Sequence, residues 1–168
     1  MDGLDAPLPL IQERVQRAQQ EYQLGLAFFR MKHWKTAALH FGLADQRTSR
    51  NHVNEHLYRS YHGLSLVYSG DISGLNLCRH AAANETIQAQ VFHNLARAEI
   101  HFRHRKRACD AVSRGLQHDP LHVGLLTLRS EMGVRRNPCI PFLRRENLLN
   151  KWLGKATYRK VTREGALR

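Results

Sequence analysis

Residues 24–41 and residues 95–112 carry the same spacing of small and large apolar residues, and this repetition limits the folds open to the chain. In each segment a leucine precedes a small residue, an alanine follows twelve residues after that small residue, and a large apolar residue follows four residues later. A weaker copy starts at Gly63. Because small residues let helices approach closely, the pattern predicts stacked helical hairpins. The matching positions are Leu24, Gly25, Ala37 and Phe41 in the first segment and Leu95, Ala96, Ala108 and Val112 in the second.

Helical periodicity runs along most of the chain, whereas the alternation typical of strands is nearly absent. The short connections between predicted helices indicate antiparallel neighbours. A helix over 120–133, with Leu121, Leu125, Leu128 and Met132, is predicted to cover the last open apolar face. The predicted helices span 8–31, 34–47, 52–69, 72–83, 86–103, 106–117, 120–133 and 146–153.

Over roughly residues 18–122 this pattern resembles the tetratricopeptide repeat family. The resemblance implies an all-α fold in which antiparallel helix-turn-helix repeats stack as a short right-handed solenoid with a capping helix. That solenoid would occupy residues 1–134 and be followed by a basic extension over 135–168. A helical bundle without repeats is the alternative. The matching residues are Leu24, Gly25, Phe28, Trp34, Ala37, Phe41 and Ala44 in the first repeat and Phe92, Leu95, Ala96, Ala108, Gly115 and Pro120 in the third, while the second keeps mainly Gly63 and the Gly70-Asp71 turn.

Two acidic residues depart from the pattern of the repeat. Glu21 and Glu99 stand where the family usually has an aromatic residue. A carboxylate on the packed side of a helix needs a partner, and Arg103 lies one turn beyond Glu99. The spacing therefore predicts an ion pair between Glu99 and Arg103.

The resemblance also implies a binding surface, because the first helices of each pair line the concave face of such a solenoid. Its mixture of aromatic, aliphatic and cationic groups suits a protein or peptide segment with some negative charge. A stripe that is merely solvated is the alternative. The set has no clamp for a C-terminal carboxylate, since only Asn94 fits one. The predicted groove residues are Tyr22, Leu26, Phe29, Arg30, Tyr61, Leu64, Tyr68, His93, Asn94, Arg97 and His101, flanked by Gln19, Leu57, Ser60 and Gln90.

The formal net charge of +12 is concentrated near the C-terminus. Residues 133–168 hold 10 Lys/Arg against 2 Glu, a net of +8. This extension contains a predicted amphipathic helix with Leu148, Leu149, Trp152 and Leu153, which would dock on the solenoid, mediate homodimer or partner contacts, or lie on an anionic membrane. A second basic run, HFRHRKRACD, spans a predicted turn. The cations of this run either form a solvated corner or, together with those of the extension, associate with nucleic acid. The residues of this predicted basic patch are Arg103, Arg105, Lys106, Arg107, Arg144, Arg145, Lys151 and Lys155.

Catalysis is not expected, because the chain has no recognisable nucleophile, metalloprotease or phosphate-loop motif. The eleven histidines include pairs at metal-compatible spacing, but no carboxylate completes a set, so neither a metal nor a cofactor is predicted. Three widely spaced cysteines without a CxxC pair indicate reduced thiols. No apolar run is long enough to span a membrane, and the acidic start lacks the features of a secretory signal, so a cytoplasmic location is expected. We therefore expect a non-enzymatic interaction module.

Overall fold

The computed structural model describes residues 8–50 and 52–133 and the two positions 148 and 152. Within these residues the chain is all-helical, with no strand, which confirms the predicted fold class. The division of the chain into two compact units falls between Met132 and Gly133. The helices are α1 (Leu8–Arg30), α2 (Trp34–Arg47), α3 (Glu55–Ser69), α4 (Ser73–Asn84), α5 (Ala89–His101), α6 (Arg105–His118) and α7 (Val123–Met132).

Consecutive helices pack as antiparallel hairpins. In the first hairpin Phe29 contacts Trp34 near the turn, while Glu21, two turns back on α1, pairs with Arg47 at the far end of α2. Residue numbers therefore rise along α1 as they fall along α2. The same arrangement joins α3 to α4 and α5 to α6, and α7 packs on α6.

Three hairpin turns share one backbone geometry. Each contains a residue with positive φ, namely Lys32 (62°), Gly70 (98°) and Arg103 (60°). In each turn the next residue donates its backbone N–H to the carbonyl five positions earlier, as His104 does to Glu99 at 2.8 Å. The turns lie 38 and 33 residues apart, which are the steps between Gly25, Gly63 and Ala96. The repeat in the sequence is therefore also a repeat of local structure.

Small residues of the repeat sit where helices come closest. A Cβ atom on Gly63 of α3 would lie 2.5 Å from the carbonyl oxygen of Gly74 on α4, and one on Gly74 would lie 2.3 Å from the carbonyl oxygen of Gly63. Ala37, Ala96 and Ala108 have no exposed surface. Glycine is needed at Gly63 and Gly74 because backbone atoms of the facing helix occupy the space of a side chain.

The helices form two layers. The first helices of the pairs, α1, α3 and α5, lie side by side: Tyr58 of α3 donates a hydrogen bond to Gln19 of α1, and Arg97 of α5 donates one to Tyr68 of α3. Helix α2 packs on α3 and α4 packs on α5 from the other layer. The core between the layers is built from Phe41, Leu64, Val67, Cys78, Val91, Phe92 and Val112.

Two local predictions are wrong. Glu99 does not pair with Arg103, because Arg103 occupies the positive-φ turn position and is exposed. Leu121 does not belong to the capping helix, which begins at Val123, and 81% of its surface is exposed. Leu125 is the buried residue of α7 and lies against Gly115 of α6.

Candidate functional site

Aromatic rings from α1 and α3 meet on the side of the molecule formed by α1, α3 and α5. Tyr22 and Phe29 of α1 lie 5.6 Å and 5.8 Å from Tyr61 of α3, measured between ring centroids. Phe29 also lies 6.1 Å from Tyr68. The three tyrosines are half-buried, whereas Phe29 is buried beneath them. We call this surface, with Arg97 of α5 beside it, the aromatic face.

Arg97 is held on the aromatic face by three contacts. Its Nε donates a hydrogen bond of 3.0 Å to the hydroxyl of Tyr68. The guanidinium carbon lies 5.3 Å from the ring centroid of Tyr68 and 5.5 Å from that of Phe29. His101, one turn further along α5, has its ring 5.6 Å from Tyr68. Cation–π contacts with two rings restrict the guanidinium to one orientation.

Arg97 and Arg30 have no carboxylate partner among the residues that the structure describes. Their charges act on the tyrosines between them. Burial raises the pKa of Tyr61, while a hydrogen bond from Tyr22 and the charges of Arg97 and Arg30 oppose that rise. The Tyr61 hydroxyl is therefore protonated at neutral pH and can donate a hydrogen bond in a positive environment.

Two predicted groove residues are corrected by the structure. Leu64 has no exposed surface and belongs to the core of α3. Asn94 is also fully buried. Its side-chain amide donates a 2.9 Å hydrogen bond to Ser60 and accepts one of 2.9 Å from Gln90, so its polar atoms are satisfied within the protein. Both face inward at a point where α3 and α5 pack directly on each other. Neither residue is available to a ligand on the surface.

The predicted groove residue His93 lies against the start of α7. Its ring is 5.5 Å from the ring of His122, and a Cβ atom on Gly124 would lie 2.8 Å from its Nε2. Burial, helped by the charges of Arg97 and His122, lowers the pKa of His93 to about 4. The imidazole is therefore neutral at pH 7 and joins α5 to α7. Of the remaining predicted residues, Leu26 is half-buried and Arg30 and His101 are exposed.

On the side facing the second layer, carboxylates are paired. Glu99 is 2% exposed and accepts hydrogen bonds of 2.8 Å and 3.1 Å from Arg79 and one of 2.7 Å from His104. Burial acts to raise the pKa of Glu99, but the hydrogen bonds from Arg79 and His104 outweigh it and hold the pKa below its usual range. Glu21 is bound in the same way by His40 and Arg47, whose hydrogen bonds lower its pKa.

The basic run at the α5–α6 turn is divided between several environments. Arg105 donates a hydrogen bond to the backbone carbonyl of Met132, while Arg103 and Lys106 are exposed. Arg107 lines a cleft between α4 and α6 together with Arg79 and Arg114. Sequence periodicity places Arg107 and Arg114 on one side of α6, since they are seven residues apart, but it cannot bring in Arg79 from α4.

Predictions for the C-terminal extension lie largely outside the described residues. This holds for Arg144, Arg145, Lys151, Lys155, Leu149 and Leu153. Leu148 and Trp152 are in helical conformation, and each exposes more than half of its surface.

Comparison with known proteins gives no family and no relative: no family model matches the chain, and no curated protein is similar to it. Among the described residues, no group of three or more His, Cys, Asp or Glu side chains is arranged to hold a metal ion. A search of the same residues finds no helix with the length and apolar character to cross a bilayer.

Proposed function

We propose that the protein is a non-enzymatic interaction module that binds a partly acidic segment of another protein on the aromatic face. Tetratricopeptide-type repeats, with the aromatic face as the concave side of the solenoid, are part of the proposal. The repeated turn geometry at Lys32, Gly70 and Arg103 supports this part.

The observation that carries the proposal is the continuous series of contacts from Tyr22 to Tyr61, on through the ring of Phe29 to Tyr68, and from Tyr68 to Arg97, across three helices. Tyrosine and arginine dominate the binding energy of many protein interfaces, because they combine a large apolar area with polar ends. Here the tyrosines bury their rings in the core and keep part of their surface exposed. Such a surface binds without first having to be ordered, which lowers the entropic cost of association.

The test is a quantitative pull-down from host extract with the full chain, comparing two doubly substituted variants. Arg30→Glu with His101→Glu puts two negative charges beside the aromatic face, at exposed positions that do not fill the core. We expect this variant to lose specific partners by roughly tenfold or more, because like charges at an interface repel acidic ligands.

The matched control is Arg103→Glu with Lys106→Glu, which adds negative charge at one exposed position in the α5–α6 turn and one in the first turn of α6. This control should keep the partners of the wild-type chain. The proposal is wrong if the two variants recover the same partners as the wild type, or if only the control loses them.

Association with nucleic acid is the second candidate, favoured by Arg107 and Arg114, which line one cleft together with Asp110 and the paired Arg79 and Glu99. A protein that neutralises about six phosphates would show a log–log salt slope of about −5. Fluorescence titration of the full chain with single-stranded RNA and duplex DNA tests this at about 50 mM salt. Absence of binding there, or binding that is unchanged in a variant with Arg107→Glu at the exposed edge of the cleft, contradicts this candidate.

We place the module in the cytoplasm, a compartment in which free thiols such as Cys78 and Cys109 stay reduced. Self-association through the C-terminal helix stays a prediction. Sedimentation of the full chain across a range of concentrations, with and without Trp152→Ala, tests that prediction.

A further inference from the structure

We propose that Arg97 binds the carboxylate of an aspartate or glutamate side chain within the partner segment. The inference rests on the proposed function and specifies it: it names the residue that recognises the acidic group and the chemistry of that group.

The guanidinium of Arg97 is positioned before any ligand arrives. Tyr68 accepts the Nε hydrogen bond, and the rings of Tyr68 and Phe29 lie 5.3 Å and 5.5 Å from the guanidinium carbon. No described residue accepts a hydrogen bond from the two terminal nitrogens, Nη1 and Nη2. These nitrogens form the edge of a planar fork that matches the two oxygens of a carboxylate.

A second donor lies beside this fork. The Tyr68 hydroxyl uses its oxygen to accept from Arg97, so its own proton is available to a ligand, and no described residue accepts it. His101 brings an exposed imidazole to the same ring at 5.6 Å. A carboxylate held by the guanidinium would thus have further hydrogen-bond donors around it.

None of the carboxylates that the structure describes forms an ion pair with Arg97. Glu21 of α1 and Glu99 of α5 are bound by cations on the side of the second layer. Glu55 of α3 pairs with Arg59 at 3.0 Å. In the part of the chain that the structure describes, Arg97 therefore contacts two aromatic rings and a hydroxyl but no carboxylate.

The aromatic face extends on both sides of Arg97, which favours a carboxylate inside a segment over one at a chain end. Of the two rings that Arg97 contacts, Phe29 lies 5.8 Å from Tyr61 and Tyr68 lies 5.6 Å from His101, so each leads to a further group of the surface. Among the described residues, Arg97 is the one guanidinium in contact with Tyr68, and one positive charge balances one carboxylate rather than a doubly charged phosphate.

The experiment selects binders to the full chain from a library of random peptides of about twelve residues, flanked by fixed linkers so that each randomised segment is internal. Enriched peptides are synthesised, and each acid is replaced by its amide. By fluorescence anisotropy, the replacement of one acid should weaken binding to the wild-type chain roughly ten- to hundredfold, as expected for a charge-assisted pair.

The double-mutant cycle uses Arg97→Gln, on which the acid and amide peptides should bind equally. The matched control is Arg114→Gln. Arg114 also stacks its guanidinium on a ring, 4.8 Å from the centroid of Phe92, but it lies in the cleft between α4 and α6, away from the aromatic face. Arg114→Gln should keep the full difference between acid and amide. Thermal unfolding of both variants verifies that they are folded.

The outcomes separate the inference from the proposed function. The proposed function stands if peptides bind to the wild-type chain and Arg30→Glu/His101→Glu abolishes their binding. The inference is nevertheless overturned if replacing the acid by its amide has no effect on the wild-type chain, or if it has the same effect on Arg97→Gln. The inference is also overturned if a peptide with phosphoserine in place of the acid binds more than roughly tenfold tighter than the acid peptide. The same holds if a peptide that ends at the position of the acid binds as well as the internal segment. If no enriched peptide depends on the aromatic face, both are wrong.

Discussion

Glu99 and Arg97 lie two residues apart on α5 and therefore on nearly opposite sides of the helix, since each residue advances it by about 100°. Glu99 faces the second layer, where Arg79 and His104 surround it. Arg97 lies on the other side of the helix, at the aromatic face, where it contacts two rings and the Tyr68 hydroxyl but no described carboxylate. One helix thus carries a charge neutralised within the chain and a charge left for a ligand.

The difference separates architecture from recognition. A buried charge such as Glu99 must be paired, because its desolvation would otherwise destabilise the fold. A partly exposed cation such as Arg97 keeps part of its hydration and needs no carboxylate to remain in place. Substitutions on the side of the second layer should therefore change stability, while those on the aromatic face should change binding.

The largest effect is expected where the layers touch. Gly63→Ala puts a methyl group 2.5 Å from the carbonyl oxygen of Gly74, and a backbone atom of a packed helix cannot move aside cheaply. We expect a loss of about 3 kcal/mol in the free energy of unfolding, measured by urea denaturation. As a control, Gly70→Asn keeps a residue that tolerates positive φ in an open turn and should change stability far less. Equal stability of Gly63→Ala and wild type would show that the α3–α4 crossing is not tightly packed.

Loss of the paired charge on α5 should be the next largest effect. Glu99→Gln leaves Arg79 and His104 without a carboxylate, and because Arg79 is partly exposed we expect a loss of about 2 kcal/mol at pH 7. The pKa of Glu99 is lowered in the folded protein, so its charge stabilises the fold above pH 4.5, and this contribution is lost as the pH falls further. The gap between variant and wild type should therefore close in acid.

The exposed pair Glu13–Arg17 provides the control for this experiment, because both of its side chains are more than half exposed. Glu13→Gln should change stability by less than about 0.5 kcal/mol. A loss in Glu99→Gln that persists unchanged in acid would mean that lost packing, rather than the paired charge, causes the destabilisation.

Sequence reasoning predicted the helices and the repeat because both depend on local spacing. The small residues at Gly25, Gly63 and Ala96 recur at the steps that the three turns also follow. The prediction was less successful for the aromatic face, because periodicity gives the direction of a side chain but not its depth. Leu64 shares a side of α3 with Tyr61 and Tyr68, yet α3 packs against α2, α4 and α5, and this leaves it no exposed surface.

Charge partners were the least predictable feature, since they depend on contacts between distant residues. The spacing of four residues predicted an ion pair between Glu99 and Arg103, but Arg103 occupies the positive-φ position of the hairpin turn instead of continuing the helix. Arg79, which replaces it, is twenty residues earlier and reaches Glu99 only because α4 packs beside α5.

The junction of α5 with α7 should show a smaller, pH-dependent effect. The pKa of His93 is about 4 in the folded chain against 6.5 for an ordinary histidine, so only the unfolded chain takes up this proton between those values. Stability should fall as the pH drops from 6.5 towards 4, by about 1 kcal/mol after allowing for partial exposure of the ring. His93→Gln should flatten the stability profile over this range, whereas substitution of the exposed His80 by Gln should not. An unchanged slope in His93→Gln would assign the effect to other groups.

The smallest stability effect is expected at Arg97, and it tests the contrast with Glu99 most directly. Arg97→Gln removes two cation–π contacts and the hydrogen bond to Tyr68, but it leaves no buried charge unpaired. We expect a loss of about 0.5 kcal/mol, similar to that of Arg114→Gln, which lies over Phe92. Urea denaturation of the two variants, compared with Glu99→Gln, gives the measurement. A loss at Arg97 as large as that at Glu99 would mean that the guanidinium holds α3 and α5 together, and the two sides of α5 would then serve the same structural purpose.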